Sequence, residues 1–325
     1  GWYRKQFKLP RSYNGKVISI LFDAICHQSD VYINGHHLGF RPYGFCSIEY
    51  DLTPYLDYDG ENVIAVRVNR SGVKDVARWY TGSGIYRHAW LQVTNPVHVA
   101  TYGTYVTTPS VSEDKAEIRI MTTLENELKK VQTVSISHLI LDNQGKIVAK
   151  SGTEKTLFEA GQSIKITQNL TLNYPRLWTL EKPELYTLET TVKANGKVTD
   201  LYKTPFGIRT IAFDSEKGFL LNGKQVKLKG MCLHQDAGSL GTAVLDRSYE
   251  RRLEIIKEYG CNAIRCSHNQ PSPEFLDMCD RMGFVVIDEA FDKWKSGYYE
   301  KYFDEWWQRD LENMILRDRN HPSII

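Results

Sequence analysis

The stretch Asn262–Ala290, NAIRCSHNQPSPEFLDMCDRMGFVVIDEA, decides the architecture of this chain. Ala263–Cys266 is a short apolar run suited to a strand, and Pro273–Met282 carries helical spacing with acidic residues in its first half. Phe284–Ile287 is apolar again. Strand, helix and strand of these lengths make a parallel βαβ unit. The same grammar continues on both sides. Upstream, Val226–Cys232 reads as a strand and Asp246–Tyr259 as a helix with Leu253, Ile256 and Tyr259 at helical spacing. Downstream, Tyr302–Arg317 is a long helix carrying Trp306, Leu311, Met314 and Ile315, and Ile324-Ile325 opens a further strand. Three units occupy about 115 residues, 209–325, whereas the eight of a TIM barrel take about 250–300. An incomplete (β/α)8 barrel is expected.

Before residue 209 the pattern is all-β. In 1–96, Val17–Phe22 and Asn62–Val68 read as strands, and Val31-Tyr32-Ile33 runs into Asn34-Gly35, a dipeptide suited to a type I′ hairpin. This segment is expected to be a β-sandwich or jelly roll. In 97–208, Ala116–Met121, Val134–Leu141, Ile147–Ala149 and Tyr186–Val192 are strand-like, with turns at Asn143-Gln144-Gly145 and Asn195-Gly196. Roughly seven strands in about 110 residues fit an immunoglobulin-like sandwich.

Charge excludes some partners. Forty-one basic and 39 acidic residues are scattered without a basic stripe, so no nucleic-acid binding is expected. No apolar run approaches the ~20 residues of a membrane span. The six cysteines (Cys26, Cys46, Cys232, Cys261, Cys266, Cys279) form no CxxC pair and are expected to be buried free thiols. That leans towards a reducing interior, with cytoplasm or periplasm both open. The chain opens on Gly1 without a signal-type segment and closes inside an apolar run, so it is expected to be cut at both ends.

Functional groups of a (β/α) barrel gather where its strands end. Here those positions hold His234, Gln235 and Asp236, then Arg265, Cys266, Ser267 and His268, then Asp288 and Glu289. Strand ends also meet solvent, but every strand contributes, which favours a site. The two histidines are open to metal ligation or to hydrogen bonding with a bound hydroxyl. No HExxH or EF-hand spacing accompanies them, so hydrogen bonding is preferred. Cys266 closes an apolar strand and is expected to be inert. Asp288 and Glu289 suggest a two-carboxylate glycosidase, but adjacent strand residues face opposite ways and cannot flank one bond. Asp236 alone remains as a partner. Trp79-Tyr80 with Gly82-Ser83-Gly84 is a turn, and Asp304, Glu305, Arg309 and Asp310 are expected to be a solvated face beside Phe303, Trp306 and Trp307.

The chain resembles glycoside hydrolase family 2, most closely its β-galactosidase branch. The resemblance runs the whole length in order: Gly1–Lys5, Trp79–Arg87 (WYTGSGIYR), Leu177–Tyr186 (LWTLEKPELY), Phe206–Arg209, Asn222–Gly230 (NGKQVKLKG), Asn262–His268, Cys279–Ala290 and Asp318–Ile325 (DRNHPSII). It implies a truncated jelly-roll sugar-binding domain (1–96), an immunoglobulin-like sandwich (97–208) and the first three to four βα units of a TIM barrel (209–325). The implied activity is retaining exo-hydrolysis of terminal β-D-galactosides through a glycosyl-enzyme intermediate. Both catalytic glutamates are expected beyond Ile325, so this chain alone is expected to hold none. β-Glucuronidase, β-mannosidase or a non-catalytic carbohydrate-binding fragment are the alternatives. By resemblance His234 and His268 bind the sugar, Arg265 supports the nucleophile, Glu289 orients neighbours, and Arg78-Trp79 reaches the barrel mouth. Asp236 stays on the substrate-binding list. Arg78 stands near where an Asp serves sodium, and Lys293 and Lys295 stand where magnesium ligands occur, so neither metal nor cofactor is expected. Gln270 replaces a usual Pro. A homo-oligomer is compatible with the family.

Overall fold

The computed structural model describes residues 1–71, Trp79 and 82–325. Arg78 lies outside them. Two antiparallel sheets face each other in the first segment. One runs Trp2–Phe7, Asn62–Val68, Ser29–Ile33, His36–Arg41, the other Ile48–Asp51, Val17–Phe22, Ala89–Thr94. Ile18, Phe22, Val31, Ile33, Leu52 and Val66 fill the space between them. The hairpin at Asn34-Gly35 has φ of 48° and 86°, the left-handed pair that a type I′ turn demands. The Val63 N–H donates to Asn34 Oδ1 (2.8 Å) and locks that turn to the next strand.

The second segment pairs Val97–Val111, Lys115–Asn126 and Ser163–Asn173 in one sheet. The other comprises Gln132–Leu141, Ile147–Lys150, Glu154–Phe158, Tyr186–Ala194 and Lys197–Phe206. Burial alternates along Gln132–Leu141, as a half-buried strand requires. His138 is buried in that strand with Nδ1 3.0 Å from Thr190 Oγ1, and burial lowers its pKa to about 4.

In the third segment β1 (Gly230–Leu233), β2 (Ala263–Cys266) and β3 (Val285–Ile287) pair in parallel. Helices α1 (Asp246–Glu258), α2 (Pro273–Met282) and α3 (Glu300–Asp318) connect or follow them. The strand expected over Val226–Cys232 starts only at Gly230, because Lys224–Gln225 still pairs back onto Leu220-Leu221. Leu253, Ile256, Phe275, Leu276 and Cys279 pack from the helices onto Ile264, Cys266 and Val286. The Ser272 side chain accepts from Phe275 N–H to cap α2, and Gly283 ends it at φ 71°, where a Cβ would lie 2.3 Å from the Leu180 carbonyl oxygen. Ile324 bridges to Val286 in parallel, beginning a further strand. No helix among the described residues is long and apolar enough to cross a membrane.

Buried polar contacts join the three segments. Trp178 is fully buried and its indole N–H donates to the Asp280 carbonyl at 2.9 Å. Arg41 pairs with Asp310, whose other oxygen accepts from the Tyr299 hydroxyl. This corrects the reading of Asp310 as part of a solvated face: its side chain is 0% exposed. The N-terminal sandwich covers that side of α3, and the Arg41 guanidinium also sits 5.3 Å from the Trp306 ring centroid.

Arg41→Met leaves Asp310 buried without its cation and is expected to cost about 3–5 kcal/mol in urea unfolding. His138 generates a pH dependence. Its native pKa lies below the ordinary value, so unfolded chains take up its proton first, and stability falls as pH drops from 6.5 towards 4. The loss should total about 3 kcal/mol. In His138→Gln this component of the pH profile should vanish.

Candidate active site

The ends of β1, β2 and β3 bring four of the expected residues together. Arg265 Nε forms an ion pair with Glu289 Oε1. His268 Nδ1 lies 3.1 Å from Glu289 Oε2 and 3.1 Å from Arg265 Nη2. With its proton on Nδ1 this ring donates to the carboxylate; without it, the nitrogen accepts from the guanidinium. His234 Nδ1 is 2.8 Å from the Ser267 carbonyl, so Nδ1–H donates there and a neutral ring leaves Nε2 as an acceptor. Trp79 stacks on His234 at 4.2 Å and 19°, and approaches His268 at 5.7 Å. Its buried indole N–H has no hydrogen-bond partner among the described residues.

Three of these residues, Arg265, His268 and Glu289, line a cavity of about 720 Å³ together with Phe291, Asp292 and Trp294, among others. Asp292 is held by Lys293 at 3.0 Å. Lys295 pairs with Asp304 at 2.8 Å, so neither lysine position offers a donor to a cation. The arrangement suits a polyhydroxylated ligand: an indole face, an imidazole acceptor, a free indole donor and an oriented carboxylate.

Asp236 is not part of the group. Its carbonyl accepts from Arg252, and its carboxylate lies 3.8 Å from the same guanidinium. Asp288, which with Glu289 follows the end of β3, lies towards Asp318 and Arg317 rather than towards Arg265. Burial and the neighbouring Asp318 push its carboxyl well above the usual range, against the pull of Arg317. Cys266 is buried and its thiol is raised by that burial, as expected of an inert cysteine. Cys232 departs from the expected burial. It is exposed beside its register partner Arg265, and contacts with Ser267 and Arg265 lower its thiol pKa.

Two positioning residues escaped the sequence reading. Arg87 donates to Gln235 Oε1 (3.0 Å), Gln270 O (2.7 Å), Pro271 O (3.1 Å) and Phe45 O (3.3 Å). It thereby ties the N-terminal sandwich to the loops after β1 and β2. The Tyr43 hydroxyl reaches Asn269 Oδ1 (2.9 Å) and the Ala290 carbonyl, spanning the loops after β2 and β3. Arg87 does sit in the WYTGSGIYR segment, which was the available signal; Tyr43 carried none. Arg87→Ala should cost about 2–3 kcal/mol through unsatisfied acceptors. Limited proteolysis should then cut first between residues 235 and 245.

Comparison with known proteins follows the same three segments. Residues 1–96 match "Glycosyl hydrolases family 2, sugar binding domain", 97–209 match "Glycosyl hydrolases family 2", and 213–325 match "Glycosyl hydrolases family 2, TIM barrel domain". The chain is 51% identical to β-galactosidase BoGH2A of Bacteroides ovatus, over 100% of this chain and 38% of that protein. A β-glucuronidase of Formosa agariphila is 35% identical, over 100% of this chain and 35% of its own length. The crystal structure of a family 2 member from Bacteroides cellulosilyticus superposes with a TM-score of 0.95 at 43% identity, covering 100% of this chain and 44% of that one. The chain therefore spans well under half the length of these relatives. With all three segments matched in order, the chain belongs to glycosyl hydrolases family 2.

Proposed function

We propose that this chain is the sugar-binding, immunoglobulin-like and barrel-opening part of a retaining exo-β-glycosidase, a β-galactosidase acting on terminal β-D-galactosides. The observation that carries the reading is the stack of Trp79 on His234 and its approach to His268, which with Arg265 and Glu289 lines a cavity. The likeness to a β-galactosidase over the whole chain supports the choice of sugar. We divide the chain at 96/97 and 208/209, in keeping with the sheets each part contains.

In this reading His234 Nε2 accepts from a sugar hydroxyl, and the Trp79 indole N–H donates to a sugar oxygen. Glu289 is committed to Arg265 and His268, so it orients them rather than transferring protons. A retaining hydrolase needs an acid/base and a nucleophile carboxyl about 5 Å apart. The resemblance to the family implies that both roles belong to residues outside 1–325, while Glu289 and Asp292 are each held by a neighbouring cation.

The test is a chromogenic panel of β-galactoside, β-glucuronide and β-mannoside on the full-length protein carrying this chain. Turnover of the galactoside is expected. Preference for either other glycoside would reassign the substrate, and no turnover of any would favour a binding role. His234→Phe keeps a ring against Trp79 but removes both the Nε2 acceptor and the Nδ1–H that donates to the Ser267 carbonyl. It should lower kcat/KM at least about tenfold.

A further inference from the structure

A second polar cluster lies at the seam between the N-terminal sandwich and the barrel segment. Asp23 follows the strand Val17–Phe22, His88 precedes Ala89–Thr94, and Glu274 stands in the first turn of α2. One ligand atom from each lies within 4.8 Å of the other two. His88 Nδ1 is 2.8 Å from Glu274 Oε1 and 3.9 Å from Asp23 Oδ2, while His88 Nε2 is 3.7 Å from Asp246 Oδ2. The backbone fixes this arrangement, since Asp23 N–H donates to the His88 carbonyl at 2.9 Å. Trp90 N–H steadies Asp23 Oδ2 at 3.1 Å.

Three carboxylates thus surround a single imidazole, with the Arg87 and Arg317 guanidinium groups acting on Asp23 from beyond ion-pair distance. Among the described residues no lysine or arginine forms an ion pair with Asp23, Glu274 or Asp246. Asp23 is nevertheless buried at 2% exposure. Beside the cluster is a cavity of about 340 Å³ lined by His88, Asp246, Tyr249, Ser272 and Glu274, among others. Tyr249 is 5% exposed, and Ser272 and Gln235 stand within hydrogen-bonding reach of its hydroxyl. The Asp280 carboxylate at the other His/Asp cluster is already met by His321 and by Ser323 N–H.

We propose that Asp23, His88 and Glu274 bind a divalent cation of the zinc class, which staples the sugar-binding segment to the barrel. One imidazole nitrogen with carboxylate oxygens is a donor set suited to zinc rather than to magnesium or calcium. Binding takes the proton off His88 Nδ1 and releases it to solvent. The Nε2–H then points towards Asp246, the outer carboxylate partner that a metal-bound histidine commonly has. A water on the ion would face the cavity that Tyr249 lines. The site stands apart from the stacked His234–Trp79 pair and does not depend on the proposed glycosidase activity.

The test uses the full-length protein stripped with EDTA and titrated with Zn²⁺ in a calorimeter, with Mg²⁺ as counter-probe. Wild type is expected to take up one equivalent more than His88→Gln or Glu274→Gln, and to melt at a higher temperature once loaded. Asp246→Asn leaves the three ligands and sits at the exposed rim, so it should fold normally even if the other variants do not. It should weaken zinc binding about tenfold. Equal zinc uptake and affinity in wild type and all folded variants would overturn the proposal, as would saturation by Mg²⁺ in place of Zn²⁺.

Discussion

The candidate site depends on the Arg87 guanidinium. Three short parallel strands cannot by themselves hold the long loops that follow them. Arg87 enters from the neighbouring sandwich and meets the Gln235 side chain and the Gln270 and Pro271 carbonyls. A planar fork with five N–H donors can do this from one position, which the compact ammonium of a lysine cannot. The loops bearing His234 and His268 are consequently set by a residue from another segment.

Charge is distributed in the site so that each group has one assignment. Arg265 and His268 hold Glu289, while the adjacent Asp288 lies near Asp318 and the field of Arg317. Just beyond the end of β3, these neighbouring carboxyls thus enter different environments. In the proposed function, Trp79 and His234 supply the flat face and the polar atoms for the sugar.

The seams between segments carry buried charge rather than apolar contact alone. Arg41 with Asp310 joins the sandwich to α3, and the Arg87 guanidinium crosses from the sandwich to the loops after β1 and β2. Such pairs add little net stability over an apolar contact, yet they penalise misdocking because a charge left alone in the interior is expensive. The Asp23–His88–Glu274 cluster also lies between the sandwich and the barrel segment, with no lysine or arginine in ion-pair contact among the described residues.

Much of the fold was legible because its signals are local. The spans of α2 and β2, the Asn34-Gly35 turn and the alternation in Asn62–Val68 follow from periodicity and turn chemistry within a few residues. So did the positions of His234, Arg265, His268 and Glu289, since strand ends mark where a barrel places its polar groups. Tertiary structure alone decided which of these meet, turning Asp236 towards Arg252 and bringing Trp79 over His234. It alone buried Asp310 and brought in Arg87 and Tyr43. These outcomes join residues far apart in the chain, and a periodicity of two or 3.6 residues carries no information about partners at such separations.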